Sequence, residues 1–595
     1  MVFSLSPAVT ITETDLTTVI PSVSTTPAAF VGPFQWGPVE SVTLVNSENK
    51  LVELFGEPDS NTFESFFSAA NFLSYGSYLQ VVRVTDTSAA NAYAEPTAIT
   101  SSSSSGEPLG LKIKNAQDYE LKKAGYADAK FAAKYPGTLG NSLAIVVIDA
   151  TAAAVTAGNV ANIEDQFDAL PGTSEYATSL GATAANDEVH IAVVDEDGLW
   201  TGTQGVILEK FSFLSKATDA KKSDGSTNYY ADVINNQSKY IWFLDHPGVG
   251  GDNTSSSSSG AVNLADWGVT ISELGTDAFA VLDSGYYSAS LSGGVDDNSV
   301  QADDLNNGWS LFADDQTTDI SLCVTGAAPA ATSQYVIDNI CEVRKDCVAF
   351  ISPLSSDVTD LVGNSTGQLA AILDFEATDI NRSTSYAVMD SGWKYQYDRY
   401  NDKFRYVPLN GDVAGLAART DLDKDPWYSP AGFNRGQIKN SSKLAYNPTK
   451  ADRDELYKQG INPVVQLAGQ GTVLLGDKTL LARPSAFDRI NVRRLFIVME
   501  KSIATAANFT LFEFNDEFTR TQFVNQIEPF LRNVQARNGI TDFRVICDET
   551  NNTGDVIDRQ EFVADIYVKP NRSINFIRLN FIATQSGIAF SEIGA

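Results

Sequence analysis

Residues 61–84 read NTFESFFSAANFLSYGSYLQVVRV and show the pattern of a helix followed by a strand. Asn61 suits the N-cap, because its side chain can accept a hydrogen bond from a free backbone N–H of the first turn. The apolar residues that fall on one helical face are Phe63, Phe66, Phe67, Ala70 and Leu73. Gly76 suits the end of the helix, and residues 79–84 are typical of a buried strand. Residues 23–87 therefore predict a strand–helix–strand unit.

Helix and strand alternate again between residues 295 and 449. Val336, Ile340 and Val343 share one predicted helical face, and residues 347–351 (CVAFI) indicate a buried strand. An α/β domain needs several such units side by side around one sheet. We therefore predict a middle α/β domain that residues 23–87 and 295–449 complete together in space.

The intervening residues, 88–294, have a different composition. Ala, Ser, Thr, Gly and Asp dominate, and short apolar strands are expected at 143–148 and 189–194. Two runs of serine, 101–105 and 255–259, indicate flexible loops. This part of the chain predicts a discontinuous, β-rich outer domain inserted into the α/β core.

The C-terminal part, residues 450–595, carries the clearest helix of the chain. The helix is expected to begin near Asn515 and to end before Gly539. Its apolar stripe consists of Phe523, Val524, Ile527, Phe530, Leu531 and Val534. Such a stripe needs a covering surface, so we predict a separate C-terminal domain packed around this helix.

Three strands are expected after this helix, at 542–547, 562–568 and 574–584, with the last two forming a hairpin. The last strand carries apolar residues on both faces. These are Ile574 and Phe576 on one face and Ile577, Leu579 and Phe581 on the other. A strand of this kind usually lies inside a sheet or an assembly; the alternative is an ordinary buried strand within one domain.

Residues 1–22 predict an extended arm. Pro7 disfavours a helix, and Val9, Ile11 and Glu13 alternate with Thr and Ser. Such a segment is either a disordered terminus or a strand that joins a sheet elsewhere. The predicted fold class is therefore α+β / α/β multidomain, with an α/β core, a β-rich outer insertion and extended strands at both chain ends.

The charge of the chain restricts its partners. The net charge is −32 and the isoelectric point is about 4.4. Residues 481–595 hold 13 basic and 14 acidic side chains, so nearly all of the excess negative charge lies in the first 480 residues. Binding to nucleic acid phosphates or to an anionic membrane normally needs a basic face, and we expect neither. The near-neutral C-terminal part can approach an acidic partner.

The sequence shows no secretion or membrane signal. The first residues, MVFSLSPAVTITETD, lack the basic and apolar regions of a signal peptide, and no apolar run is long enough to span a bilayer. The four cysteines, Cys323, Cys341, Cys347 and Cys547, have no CxxC spacing. We expect them to be reduced and buried in a chain made in the cytoplasm.

Catalytic and phosphate-binding motifs are incomplete. Two histidines, His190 and His246, are too few for a histidine-rich metal site or a Ser–His–Asp triad, and we expect both to be structural or exposed. Residues 471–479 (GTVLLGDKT) resemble a phosphate-binding loop, but Asp477 follows Gly476 where that motif requires Lys.

A calcium-binding motif is likewise incomplete, and an aromatic cluster has two interpretations. Asp421, Asp423 and Asp425 have EF-hand spacing, but Pro426 stands where the loop needs Gly. We therefore predict no catalytic, cofactor-binding or metal-binding residue, and a protein that is not an enzyme. Residues 393–408 alternate aromatic side chains around a turn; a hairpin with cross-strand pairs is expected, and a stacking surface for bases or sugars is the alternative.

Several longer motifs resemble the contractile tail sheath proteins of myoviruses, the T-even-like sheath family. They are 34–38 (FQWGP), 54–58 (LFGEP), 135–141 (YPGTLGN), 292–297 (SGGVDD), 393–408, 417–420 (AART), 427–432 (WYSPAG), 487–496 (FDRINVRRLF) and 547–563. They follow one another in the order found in that family and cover about 5–87 and 290–595. The part between Val84 and Tyr135 looks shorter than in T-even-like sheaths.

The resemblance implies a structural subunit of a phage tail. Sheath subunits stack as six-fold rings in a helix around a tail tube and contract to drive the tube through the host envelope. In the family, the N-terminal arm and the C-terminal strand join the sheets of neighbouring copies. The implied partners are other sheath subunits, the tube protein, and the baseplate and terminator or neck proteins, in a virion that assembles in the host cytoplasm.

The resemblance also implies a tube-facing helix within residues 450–595. On it, Arg520, Arg532 and Arg537 are candidate contacts to acidic tube residues; the alternative is that they only solubilise an exposed face. Three other functions were considered: the sheath of a tailocin or other contractile injection system, a carbohydrate-binding or hydrolytic tail component that uses Trp393, and a surface-layer protein, which would need an export signal.

Overall fold

The computed structural model describes residues 25–94, 110–123, 129–157, 160–247, 267–275, 277–282, 284–296 and 299–575. Seven residues of the predicted linking strands lie outside these ranges: Val9, Ile11, Glu13, Phe576, Ile577, Leu579 and Phe581. Both serine runs, 101–105 and 255–259, also lie outside them.

The centre of the molecule is a seven-stranded sheet. In order across the sheet, its strands are Ile461–Asn462, Ala387–Asp390, Val348–Ile351, Leu322–Val324, Ala28–Gly32, Leu79–Arg83 and Thr43–Val45. All neighbours run parallel except Thr43–Val45, which is antiparallel to Leu79–Arg83. The sheet thus joins strands from both parts of the predicted middle domain and takes 461–462 from beyond residue 449.

Helices cover both faces of this central sheet. Phe30 points into the core on one face, while its neighbours Ala29 and Val31 point into the core on the other. Helices Phe63–Leu73 and Asn410–Asp423 pack on the first face. The helices on the second face are Ala302–Ser310, Ala330–Tyr335 and Ser365–Asp374. Successive side chains of a strand face opposite ways, so a sheet covered on both sides needs the apolar strands seen in the sequence.

The predicted helix near residue 61 forms as Phe63–Leu73, but its start differs from the prediction. Thr62, not Asn61, occupies the N-cap. The carboxylate of Asp59 accepts the backbone N–H groups of Asn61 and Thr62, each at 2.7 Å. Asp59 therefore holds the turn into the helix, which leaves no capping role for Asn61.

The predicted helical face containing Ile340 and Val343 is wrong at Val343. Ile340 is fully buried, whereas Val343 is 65% exposed. Residues Val336–Cys341 form a π-helical segment between Ala330–Tyr335 and Glu342–Arg344. A π-helical turn contains an extra residue, which rotates the following side chains away from the face that 3.6-residue spacing predicts.

The described part of the outer insertion contains two larger antiparallel sheets, besides the short pair Thr156–Ala157 and Val160–Ala161. The four-stranded sheet has the order Val206–Ser215, Glu188–Asp195, Leu143–Ile148 and Tyr286–Ser290. The three-stranded sheet has the order Ile241–Phe243, Phe131–Ala133 and Tyr93–Ala94. The strands predicted at 143–148 and 189–194 are therefore confirmed.

Arg83 fastens this insertion to the central sheet. Its side chain is buried and donates hydrogen bonds to the carbonyl oxygens of Phe34 at 2.8 Å, Gly37 at 2.9 Å and Pro136 at 2.8 Å. Burial lowers the pKa of Arg83 to about 10, which still leaves it charged at neutral pH. The Arg83 guanidinium thus binds backbone carbonyls of both the FQWGP and the YPGTLGN segments and holds them together.

The C-terminal domain has two long helices, Ile490–Ala507 and Glu517–Ala536. They are followed by Ile540–Ile546 and Asp565–Pro570, which pair with each other in an antiparallel sheet. The strand predicted at 562–568 thus forms at 565–570, and among the described residues its partner is the preceding strand. Residues 571–575 form no strand, and the rest of the predicted strand 574–584 lies outside the described ranges.

The remaining elements are short. The other α-helices are Glu48–Phe55, Ala116–Lys122, Glu175–Ser179, Tyr230–Gln237, Ile271–Leu274, Ser355–Val358, Lys450–Lys458 and Gly554–Asp558, with a second π-helical segment at Phe375–Ile380. The other strands are Thr156–Ala157, Val160–Ala161, Trp393–Asp398, Lys403–Pro408, Lys443–Leu444, Val464–Leu467 and Gly471–Leu474. None of the helices in the described ranges has the length and apolar character needed to cross a membrane.

Candidate assembly surface

The two-stranded sheet of the C-terminal domain has one covered face, and within the described ranges neither of its edges pairs with another strand. Phe543 lies opposite Val568, and Val545 opposite Ile566, and all four pack toward the helix Glu517–Ala536. No other strand of the described chain pairs with Ile540–Ile546 or Asp565–Pro570. A pair of strands is marginally stable alone, and its edges present unpaired backbone N–H and C=O groups. The pair can therefore accept further strands.

The apolar stripe of the helix Glu517–Ala536 covers the inner face of this sheet. Phe523, Ile527, Leu531 and Val534 are buried, as predicted. Val524 and Phe530 are partly buried and contact the rim of the same cluster. The helix begins after Asp516, whose carboxylate accepts the N–H of Thr519 at 2.7 Å.

The three arginines of this helix differ in exposure. Arg520 is 6% exposed, and its guanidinium donates to Asn515 Oδ1 at 2.8 Å. Arg532 is exposed and pairs with Glu528, one helical turn away, at 3.1 Å. Arg537 is exposed too, forms an ion pair with Asp425 and lies 5.6 Å from the ring of Trp427. In this conformation Arg532 and Arg537 can reach a partner, whereas Arg520 is used inside the domain.

A loop rich in phenylalanine precedes the helix, and the sequence analysis missed it. Five large apolar side chains lie exposed in this loop and in the first turn of the helix: Phe509 (73%), Leu511 (63%), Phe512 (104%), Phe514 (84%) and Phe518 (71%). We call these residues the phenylalanine loop. Asn515 ties the loop to the sheet region, since its side-chain amide donates to Glu561 O at 2.9 Å. A cluster of exposed apolar side chains on this scale is typical of a surface that binds another chain.

The two ends of the described chain, at residues 25 and 573–575, both lie near the start of helix Ile490–Ala507. At the N-terminal end, Thr25 donates to the Asp421 carboxylate at 2.7 Å, and Arg494 pairs with the same carboxylate and with Thr25 O. Burial raises the pKa of Asp421 although Arg494 opposes this effect. At the C-terminal end, Ser573 contacts Asp477, which pairs with Arg489. Because Arg489 and Arg494 are only five residues apart, both chain ends depart near the start of one helix.

Ile574 is the described member of the predicted linking strand residues. Its side chain is 83% exposed. An apolar side chain at that exposure has little packing against the described part of its own subunit.

The aromatic hairpin forms as predicted. Strands Trp393–Asp398 and Lys403–Pro408 pair, and the ring of Tyr395 lies 5.2 Å from that of Phe404 and 4.6 Å from that of Tyr406. Trp393 is buried, with its indole N–H bound to Pro353 O at 2.8 Å. Because its side chain is buried, Trp393 is unable to stack on a sugar or a base.

The two histidines and the segment resembling a phosphate-binding loop take part in contacts within the fold. His190 is buried, with one ring nitrogen 2.8 Å from Ala169 O and the other accepting the N–H of Phe213, and burial lowers its pKa. His246 lies against the hydroxyl of Tyr230, and burial lowers its pKa too. Gly471–Leu474 is a strand paired with Val464–Leu467 rather than a phosphate-binding loop.

One group of described residues has metal-ligand spacing. The sulfur of Cys341 lies 3.9 Å from that of Cys323 and 3.6 Å from that of Cys347, and all three thiols are fully buried. They offer three ligands, whereas structural zinc takes four, and an apolar core surrounds them. Burial raises the pKa of Cys341 well above its ordinary value, which keeps that thiol protonated. Cysteines in this state behave as small core residues.

Models of phage tail sheath domains match three parts of the chain. The N-terminal region of domain III of the tail sheath protein Gp18 matches residues 25–84. The phage tail sheath protein central domain matches 298–480, and the phage tail sheath C-terminal domain matches 482–584. The matched ranges include the central sheet and the two-stranded sheet with free edges.

Whole-chain comparisons agree with these matches. The sequence is 36% identical to the tail sheath protein of Vibrio phage KVP40 over 99% of both chains. It is 34% identical to the tail sheath protein of Enterobacteria phage T4, again over 99% of both. The crystal structure of a sheath tail protein from Listeria innocua shares the fold, with a TM-score of 0.52 at 12% identity over 92% of this chain and 96% of that one. The predicted resemblance is confirmed: this chain belongs to the family of tail sheath proteins of contractile-tailed phages.

Proposed function

We propose that copies of this chain link into a contractile sheath by exchanging β-strands. In this proposal the arm 1–22 and the strand at 574–584 of one copy pair with the free edges of Ile540–Ile546 and Asp565–Pro570 in neighbouring copies. The observation that carries the proposal is a two-stranded sheet with both edges free among the described residues, in a chain whose two ends leave near one helix.

Backbone pairing explains how such a link can be strong without a closed pocket. Each added strand satisfies N–H and C=O groups along an edge, and alternating side chains fix the register. The residues proposed for this role are Val9, Ile11 and Glu13 in the first arm, and Ile574, Phe576, Ile577, Leu579 and Phe581 in the second. The apolar members on both faces of the second arm suit a strand that becomes interior to a sheet.

The proposed assembly is a helix of stacked hexameric rings around the tail tube. Identical contacts that do not close generate such a helix. Contraction is then a rigid-body movement of subunits that stay tethered by their strands, from an extended state that is kinetically trapped until the baseplate moves. This drives the tube through the host envelope for genome delivery. The chain acts without catalysis, cofactor or nucleic acid contact.

The proposed partners follow from this arrangement. They are other sheath subunits, the tube protein, the baseplate, and the terminator or neck proteins, in a virion assembled in the host cytoplasm. Arg532 and Arg537 are proposed to face acidic side chains of the tube, since both are exposed on a helix of the near-neutral C-terminal part. Arg520 joins this contact only if the loop that holds it rearranges.

Deletion of residues 1–20 tests the strand exchange. We expect a folded monomer, since the central sheet begins at Ala28, and we expect it to form no tubes in negative-stain electron microscopy. The full-length protein, without any cofactor, should form tubes or contracted polysheaths under the same conditions. Normal tubes from the truncated chain would contradict the linking role of the arm.

A further inference from the structure

Asp477, the residue that breaks the phosphate-loop motif, is the acceptor at the centre of a buried polar cluster. Its side chain is 5% exposed and accepts hydrogen bonds from Arg489 at 2.8 Å and from the Tyr457 hydroxyl at 3.3 Å. It also accepts the Ser573 hydroxyl at 2.9 Å and the Asn575 side-chain amide at 3.2 Å. The ion pair with Arg489 offsets the cost of keeping this carboxylate away from water.

Residues 571–575, which we call the arm root, cross from one domain to the other. Asn571 belongs to the C-terminal domain side, because its amide donates to Asn538 O at 2.8 Å and its side-chain oxygen accepts the Thr541 hydroxyl at 2.6 Å. Ser573 and Asn575 lie on the other side, bound to Asp477 in the part matched by the central-domain model. The arm root is therefore held at both of its ends.

A cleft separates these two anchor points. Its volume is about 990 Å³, and Trp427, Arg453 and Asn538 are among its lining residues. Ile574 also lines it but remains mostly exposed. The direction of the arm root is thus determined by the hydrogen bonds at its ends, since a mostly exposed Ile574 provides little packing.

We propose that Asp477 is a positioning residue that clamps the arm root to the central domain and so aims the C-terminal strand at the neighbouring copy. This inference rests on the proposed strand exchange. A fixed exit direction lowers the entropy that the strand loses when it pairs, and it transmits movement of one subunit to the next. The clamp consists of hydrogen bonds to an ionised group, which are stronger than neutral ones.

The test combines two measurements on the full-length chain. The first is the mobility of a nitroxide attached to Ile574→Cys in the monomer, where the four natural cysteines are buried. The second is the critical concentration for tube formation. The main variant is Ser573→Ala/Asn575→Ala, which removes the arm root's bonds to Asp477 and leaves the Asp477–Arg489 ion pair intact. Asp477→Asn is the second variant. Asp454→Asn is the matched control, because Asp454 lines the same cleft and its side chain forms no hydrogen bond or ion pair within the described chain.

We expect the double alanine variant and Asp477→Asn to mobilise the nitroxide and to raise the critical concentration about tenfold, the size of effect that one or two such hydrogen bonds produce. Asp454→Asn should change neither quantity. An immobile nitroxide in the double alanine variant would overturn the clamp, and so would a mobile nitroxide with an unchanged critical concentration. If strand exchange itself does not occur, the result is different. A chain lacking residues 576–595 would then form normal tubes, and this outcome does not depend on the mobility of the nitroxide.

Discussion

The central sheet and the C-terminal sheet of this protein differ in the number of their strands and in how many of their faces are covered. The central sheet has seven strands, with helices on both faces. The C-terminal sheet has two strands, with a helix on one face and both edges free among the described residues. The exposed phenylalanine loop lies beside the second sheet and has no counterpart of this density elsewhere in the described ranges.

The difference indicates two separate tasks. The central domain satisfies its own backbone and apolar groups, so it can fold and persist as a monomer. In the C-terminal domain, edges and apolar side chains remain uncovered by the described part of the chain, as is typical of a surface that binds further strands or another chain. Substitutions in the first should therefore lower the stability of the monomer, and substitutions on the surface of the second should lower assembly.

The largest effect is expected at the buried ion pair of the central domain. Lys394 and Asp412 are both fully buried, 2.8 Å apart, and Tyr75 donates to the same carboxylate at 3.0 Å. Lys394→Ala leaves Asp412 without its cation, which should cost about 3–5 kcal/mol of unfolding free energy. Urea unfolding followed by tryptophan fluorescence measures this. Lys403→Ala, at an exposed position of the same hairpin, should change it by less than about 0.5 kcal/mol. Equal effects of the two substitutions would contradict the structural assignment.

A smaller effect, on assembly rather than on the stability of the monomer, is expected for substitutions in the phenylalanine loop. Phe512→Ser/Phe514→Ser should leave monomer unfolding unchanged, because both side chains are exposed in the monomer. Burial of one such ring in an interface contributes about 1.5–3 kcal/mol, so the critical concentration for tubes should rise at least tenfold. Sedimentation of assembled tubes gives that concentration. Leu121→Ser, a 77% exposed apolar position in the outer insertion, is the matched control and should have little effect. Unchanged assembly in the double variant would show that the loop is not an interface.

A pH dependence is expected in the central domain. Burial raises the pKa of Asp390, at the end of strand Ala387–Asp390, to about 8, against hydrogen bonds from Ser352 and Gly392 that lower it. A raised pKa means that the folded state holds its proton while the unfolded state loses it. The unfolding free energy should therefore fall as pH rises from about 4 to about 8, by about 1 kcal/mol per unit.

Asp390→Asn removes this titration while keeping a neutral side chain of similar shape. Its unfolding free energy should vary less across the same pH range and exceed that of the unsubstituted protein at pH 7. Thermal unfolding at pH 5, 6, 7 and 8 measures the two curves. If unfolding free energy depends on pH equally in the two proteins, Asp390 is not protonated in the folded state.

The smallest effect concerns the tube-facing helix. Arg532→Glu should weaken binding of sheath to purified tail tubes by a few-fold, since an exposed ion pair contributes about 0.2–1 kcal/mol, and added salt should reduce the difference. Arg559→Glu changes the charge equally at another exposed position of the C-terminal domain and serves as the control. Equal binding by both variants would remove Arg532 from the tube contact.

Periodicity accounts for the parts of the fold that the sequence predicted well. The helix at 63–73, the strands at 143–148 and 189–194 and the stripe Phe523–Val534 all form, because burial of one or both faces requires those patterns. Val343 was misplaced because nothing in 3.6-residue spacing reveals a π-helical turn.

The features of the candidate assembly surface were harder to predict from the sequence than the fold. Free strand edges depend on which strands pair, and pairing of Ile540–Ile546 with Asp565–Pro570 over an intervening helix cannot be read from alternation alone. The phenylalanine loop offered a signal, since NFTLFEFNDEF (508–518) holds four phenylalanines within eleven residues. Asp477 could be recognised only as the residue that spoils a phosphate loop, because its partners Ser573 and Asn575 lie almost 100 residues away.

A cryo-electron microscopy map of the assembled tube tests strand exchange most directly. The account predicts that the pair Ile540–Ile546 and Asp565–Pro570 becomes a sheet of four strands, with the two added strands supplied by chain ends of other copies. A map in which both ends of each chain return to their own subunit, with these edges left free, would contradict it.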